Sequence, residues 1–274
     1  MSNGLQRIFF PTNLEAEAEP AFLHALRLAV AGPAKLTIMH VGEETEHEIS
    51  SMPQVRRTLH KWGFISGAND STELKEMGIG VLKLLASGDP LRACLDHLKE
   101  HNADLVVLHT HQREGAAAWL SGRVAEPMAR EAGKPTLIVP GRTRSFVDSG
   151  TGEIRLRRVL IPIASAPDPR KAIELAAWLA STVGYGNVRF TMLHVGEDLN
   201  SSSIATQQRP PWEWTYLQRE GNVVDAILRT EKEIQPDLVV MITQGHDGFL
   251  DALRGSTTER VLRHIQCPLL TATA

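Results

Sequence analysis

The chain has 274 residues, 42% hydrophobic and 22% charged, with a formal net charge of -3 at pH 7. That is the balance of an ordinary globular protein of about two domains, and with no basic face concentrated anywhere it gives no reason to expect nucleic acid. No apolar run approaches the ~20 residues that cross a bilayer, and Met1–Gly4 does not open a secretory signal, so a cytoplasmic protein without membrane contact is expected.

Ile8–Pro11 reads as a first strand. Phe22, Leu23, Leu26, Leu28, Ala29 and Val30 then recur near helical spacing. The order continues with a strand over Leu36–Val41, a helix over Val55–Ile65, a strand over Ile79–Leu85, a helix over Leu91–His101 and a strand over Leu105–His109. A helix over Val124–Ala132 and a last strand over Thr136–Val139 complete the half. Strands apolar on both faces, alternating with amphipathic helices, predict an α/β fold with a parallel sheet covered on both sides. Residues 142–153, rich in Gly, Ser, Thr and Arg, read as a linker, with Arg155–Arg158 as its solvated end.

The chain then repeats. Arg7–Pro11 returns as Arg158–Pro162, Met39–Glu44 as Leu193–Asp198, Asp104–Leu108 as Asp237–Met241, and Lys134–Ile138 as Cys267–Thr271. Matched blocks in one order mean duplication, with domains at 1–141 and 156–274 and a linker at 142–155. Cys94 and Cys267 occupy unmatched places and are expected to be reduced packing residues. One segment differs between the copies. Between Val195 and the strand-like Trp212–Leu217 lies only a polar stretch, too short for a long second helix. Trp212, Trp214 and Tyr216 alternate there, which fits an edge strand packed locally or the wall of a partner or small-molecule site.

Chemistry concentrates after the fourth strand of the second half, in Thr243–Gly248 and then Gly255-Ser256-Thr257-Thr258-Glu259 opening a helix. Glycines there let backbone approach a ligand, and amides at a helix start attract an anion such as phosphate. Ser256 with Glu259 is equally the spacing of a capping box, and the glycines can simply make turns. His40 and His194 recur at one strand end beside acidic residues, yet no closed metal-ligand set accompanies them. No phosphate-loop lysine motif, dinucleotide fingerprint, zinc-protease helix or nucleophile elbow is present.

These segments resemble the universal stress protein family, whose nucleotide-binding members carry Gly-x2-Gly-x9-Gly-Ser/Thr after the fourth strand. The resemblance covers nearly the whole chain, twice. Gly245, Gly248, Gly255 and Ser256 match that motif, with Thr257 following, but only six residues separate Gly248 from Gly255. The first half shares the shortened gap from Gly115 to Gly122, with Gln112 in the first glycine position and Arg123 in that of the hydroxyl residue. Arg123 can supply charge to an anion or be merely solvated.

The resemblance implies two doubly wound, five-stranded, Rossmann-like domains of strand order 3-2-1-4-5. It further implies pairing of Thr136–Val139 with Leu269–Thr271 as an intrachain pseudo-dimer, with a homodimer of chains as a further option. It points to ATP or another small phosphorylated ligand. The family's adenine-binding aspartate is replaced by Asn13 and Ala164, while Val41 and Val195 match the position whose backbone contacts adenine. Asn13 keeps an acceptor oxygen but also suits a turn or cap. Neither site is whole, and a lost hydrogen-bond partner costs roughly 1–3 kcal/mol, or about tenfold to hundredfold in affinity. The better candidate is the second half, with Ala164, Val195, Gly245, Gly248, Gly255, Ser256 and Thr257; the weaker set is Asn13, Val41, Gly115, Gly122 and Arg123. Three function classes stay open: a stress-response module binding a nucleotide or phosphate weakly, a ligand-independent scaffold, and a slow ATP hydrolase. No catalytic residue is assigned, and a non-enzymatic role is expected.

Overall fold

The computed structural model describes residues 4–43, 45–67, 72–110, 128–129, 131–141, 143–184, 186–197, 206, 211–243 and 257–274. The chain divides into two compact units. One comprises residues 2–142 with Val147–Ile154, and the other comprises Thr143–Phe146 with Arg155–Ala274.

In the first unit the strands are β1 (Arg7–Thr12), β2 (Lys35–Val41), β3 (Gly80–Ala86), β4 (Leu105–Thr110) and β5 (Thr136–Pro140). They form a parallel sheet in the order β3-β2-β1-β4-β5. The interior strands carry consecutive buried residues, such as Ile8, Phe9 and Phe10 or Leu105 to Leu108, because both faces of such a sheet are covered. Helix α1 (Glu19–Ala31) has Pro20 in its first turn, where a missing N–H is harmless, and packs on β1, β4 and β5. It buries Phe22, Leu23, Leu26, Leu28 and Ala29, most of the residues whose spacing predicts it.

Among the described residues, three short helices lie between β2 and β3: α2 (Glu46–Ser51), α3 (Val55–Lys61) and α4 (Thr72–Glu76). The helix expected over Val55–Ile65 stops at Lys61, because Trp62 caps it and Gly63 turns with φ +75. Helix α5 (Pro90–Glu100) is capped by Asp89, whose carboxylate accepts from the Arg92 N–H at 2.9 Å. Most of the helix expected over Val124–Ala132 lies outside the described residues; Met128 and Ala129 are helical.

Within the segment between the repeats, Val147 and Ile154 make an antiparallel bridge. Asp148 closes the turn by accepting from the N–H groups of Gly150 and Thr151, each at 2.9 Å. The Trp62 indole donates to the Ser149 carbonyl at 3.2 Å and Arg27 donates to that of Gly152 at 2.7 Å, so this strap is part of the first unit.

The second unit repeats the plan with β6 (Arg158–Ile163), β7 (Arg189–Val195), β8 (Glu213–Arg219), β9 (Leu238–Thr243) and β10 (Leu269–Thr273). Its parallel order is β8-β7-β6-β9-β10, which is again 3-2-1-4-5. Helix α6 (Pro169–Thr182) packs on β6 and β9, while α7 (Val223–Ile234) packs on β6, β7 and α8 (Thr257–Leu262). Arg155, Arg157 and Arg158 are exposed, but Leu156 between them is fully buried and Arg158 already opens β6. The aromatics of the edge strand pack locally: Phe190 stacks on Trp214 at 4.2 Å between ring centres and meets Trp212 edge-on at 5.1 Å.

Cys94 and Cys267 are both free and buried. Burial pushes the Cys94 thiol up to about 12, aided by Asp89. Burial likewise raises Cys267, whose neighbour Glu231 is almost fully buried and paired with Arg144. Among the described residues no helix is long and apolar enough to cross a membrane.

Candidate functional site

In each sheet the first strand lies between the second and the fourth, so the chain turns to opposite sides at its carboxyl end. Loops diverge there and leave a crevice, the place where open α/β sheets bind ligands. The candidate residues flank this point in both units. In the second, Ile163 is aligned with His194, so Ala164 and Val195 follow side by side one residue further on. In the first, Thr12 is aligned with His40, which puts Asn13 beside Val41.

The strand-end histidines have a defined task. His40 Nδ1 lies 2.8 Å from the Thr12 carbonyl oxygen, and His194 Nδ1 lies 3.2 Å from that of Ile163. Each buried ring thereby ties the end of the second strand to the end of the first. Their other nitrogens separate the two units. His40 Nε2 reaches the Glu48 carboxylate of α2 at 3.4 Å, and the second oxygen of Glu48 is buried without a hydrogen-bond partner. His194 Nε2 instead meets the backbone carbonyl of Glu197 at 2.7 Å. The first unit therefore brings a carboxylate close to the crevice through this histidine, and the second uses main chain. Gly42 is required by that packing, since a Cβ there would stand 2.6 Å from both Glu48 Oε1 and His40 Nε2.

Asn13 is exposed, and its carbonyl oxygen accepts from the Glu15 N–H at 3.2 Å. This is the turn that its side chain favours, and it uses one of the two lone pairs of the oxygen that would accept from an adenine amino group. Val41 is half-buried and packs on the cluster of Phe9, Met39, Cys94 and Leu98. Ala164 is exposed, and Val195 is half-buried. Just beyond Ala164, Asp168 caps α6 by accepting from the Arg170 N–H at 3.0 Å. The Arg170 side chain also holds the Asp168 carboxyl below the usual carboxylate range. Thr257 opens α8 and is half-buried. Glu259 pairs with Arg263 one turn along the helix. Gly245, Gly248, Gly255 and Ser256 lie outside the described residues, as do Gly115, Gly122 and Arg123. No group of three or more His, Cys, Asp or Glu that could hold a metal occurs among the described residues.

Sequence reasoning passed over the histidine ties, although their signal was visible in the repeated His-Val-Gly-Glu of both copies. The carbonyl that each one meets belongs to a different strand, so the contact follows only from the register.

Comparison with known proteins agrees with this fold. The universal stress protein YxiE of Bacillus subtilis is 27% identical over 139 residues, spanning 47% of this chain and 92% of the relative. A universal stress protein structure from Archaeoglobus fulgidus shares the fold at a TM-score of 0.65 and 18% identity, over 97% of this chain and 96% of that one. A functionally unknown protein from Pseudomonas aeruginosa PAO1 matches at a TM-score of 0.60 and 16% identity, over 98% of this chain and 92% of its own. The universal stress protein family model matches residues 4–140 and again 197–272. With both repeats matched in sequence and both sheets wound in the same order, the chain belongs to the universal stress protein family as a tandem of two copies.

Proposed function

We propose that this chain is a stress-response binding module that holds an adenine nucleotide, ATP in the first instance, weakly and in its second unit. The observation that carries this reading is the contrast at the two crevices. In the first unit His40 engages the Glu48 carboxylate, a charge that repels phosphate, whereas in the second His194 is held by a main-chain carbonyl beside exposed Ala164. The second unit also carries Gly245, Gly248, Gly255 and Ser256, the positions that match the family's nucleotide-binding motif. Val195 would offer backbone to the base, while Ala164 contributes no acceptor side chain, which keeps the affinity low. No catalytic role is assigned. The ligand-independent scaffold stays as the second reading, favoured by the engagement of the Asn13 oxygen in its own turn.

Calorimetric titration with Mg-ATP, after a check for nucleotide carried through purification, tests the reading. Saturable binding at one site per chain, abolished by Ser256→Arg, is the expected result. No heat and no carried nucleotide would leave the scaffold.

A further inference from the structure

At the opposite end of the second sheet, the amino ends of β6, β7, β8 and β9 line a half-open cavity of about 670 Å³. Its charged lining consists of Arg155, Arg157, Arg158 and Arg189 against Glu213 and Asp237. All of these belong to the second unit. A strand of six residues is about 20 Å long, so this cavity is well separated from the crevice at the carboxyl ends.

Both acids are already engaged. Asp237 accepts the backbone N–H groups of Arg157 and Arg158, each at 2.8 Å. Glu213 is paired with Arg189 at 3.0 Å. Neither the Arg157 nor the Arg158 guanidinium has an ion-pair partner among the described residues. Arg158 and Arg189 are aligned across β6 and β7, and Arg189 and Glu213 across β7 and β8. Side chains at one register position of neighbouring strands point to the same face, so Arg158 and Arg189 share a face side by side, with Glu213 flanking Arg189 on its far side.

The duplication supplies an internal control. The positions equivalent to Arg155, Arg157, Arg189 and Glu213 in the first unit are Gly4, Gln6, Lys35 and Gly80, while Arg158 and Asp237 correspond to Arg7 and Asp104. There Arg7 faces the Asp104 carboxylate at 3.6 Å. The excess of guanidinium groups is therefore confined to one copy, and the shared fold does not require it.

We propose that this cavity binds a small oligophosphate of the pyrophosphate and tripolyphosphate class. Guanidinium forks match phosphate oxygens two at a time, and several of them lining one site favour an anion carrying several charges over chloride or a monocarboxylate. The volume lies within the range of small-molecule sites, and four arginines among the nine lining residues favour an anion. The site is independent of the proposed nucleotide crevice.

The test is calorimetric titration of the full chain with tripolyphosphate at roughly 0.15 M salt, where exposed charges more than a Debye length apart are screened. In the Ser256→Arg background, which closes the crevice to phosphate, the chain binds at one saturable site. The double variant Arg157→Gln, Arg158→Gln binds at least tenfold more weakly, with an unchanged circular dichroism spectrum and melting temperature, because both side chains are exposed. Glu213→Gln frees Arg189 and tightens binding severalfold. Loss of Mg-ATP binding in Ser256→Arg, with tripolyphosphate binding kept there and lost only when Arg157→Gln and Arg158→Gln are added, separates failure of the nucleotide reading from failure of this one. Absence of saturable binding, equal affinity in the double variant, or loss through Ser256→Arg alone would each overturn the proposal.

Discussion

Asp237 accepts the backbone N–H of Arg158 at 2.8 Å, and the same oxygen takes that of Arg157 at 2.8 Å. Asp104 repeats the clamp in the first unit, on Gln6 at 3.0 Å and Arg7 at 2.8 Å. Each aspartate precedes the fourth strand and pins the start of the first beside it, at a junction where only two aligned residue pairs form. Hydrogen bonds to a charged acceptor are stronger than neutral ones. Asp237→Ala is expected to lower unfolding free energy by about 2 kcal/mol in urea titration, and Asp237→Asn by about half of that. A wild-type midpoint in the alanine variant would reduce the clamp to a surface contact.

Gly152 marks the tightest point of the strap. Its φ is +69, and a Cβ placed there would stand 2.6 Å from the Trp62 ring. A side chain meets both the left-handed backbone penalty and a clash with a large rigid group. Gly152→Ala should cost about 2 kcal/mol or more and open residues 147–154 to limited proteolysis. Equal melting temperature and equal protease resistance would show that the strap is not held by Trp62.

His24 lies fully buried in α1 with Nδ1 2.7 Å from the Pro20 carbonyl oxygen. Burial lowers its pKa from 6.5 to about 4, and the Pro20 contact offsets this only in part. Between those values the unfolded chain binds more protons than the folded one, so stability rises with pH across that window. The contribution is complete above pH 6.5 and fades as pH falls toward about 4. The loss at the bottom of the window is about 3 kcal/mol. Urea midpoints measured across this range should fall accordingly in wild type. His24→Gln keeps a donor for Pro20 but does not titrate, so its profile should lack this limb.

Ala164 is exposed at the switch point beside Val195, where a longer side chain meets no packing cost. Ala164→Asp should restore an acceptor for the adenine amino group and tighten Mg-ATP by about tenfold or more. Unchanged affinity in calorimetry would mean that the base is not held at this end of β6.

Much of the fold was legible because it is written locally and twice. The apolar runs Leu105–Leu108 and Leu137–Val139 mark the strands expected at Leu105–His109 and Thr136–Val139, and the structure extends each strand by one residue, to Thr110 and Pro140. The spacing of Phe22, Leu23, Leu26 and Leu28 foretells α1, since a buried helix face repeats its apolar residues at the helical period. By contrast, α2 and α4 are short and polar, with α2 held by the Thr45 cap on the Glu48 N–H. Such elements owe their stability to caps and neighbours, so they carry no periodicity to read.

For the site, sequence alone determined which residues follow each strand and that the copies differ there: Asn13 against Ala164, and Gly115 and Arg123 against the fuller set around Gly245. Tertiary structure decided what those residues meet. His40 faces a side-chain carboxylate and His194 a main-chain carbonyl, and the arginines of β6 and β7 become neighbours only when Arg158 aligns with Arg189. A chain specifies its periodicities residue by residue, whereas charge accumulates across strands that are distant in sequence. The sum is fixed only when hydrogen bonding sets the register.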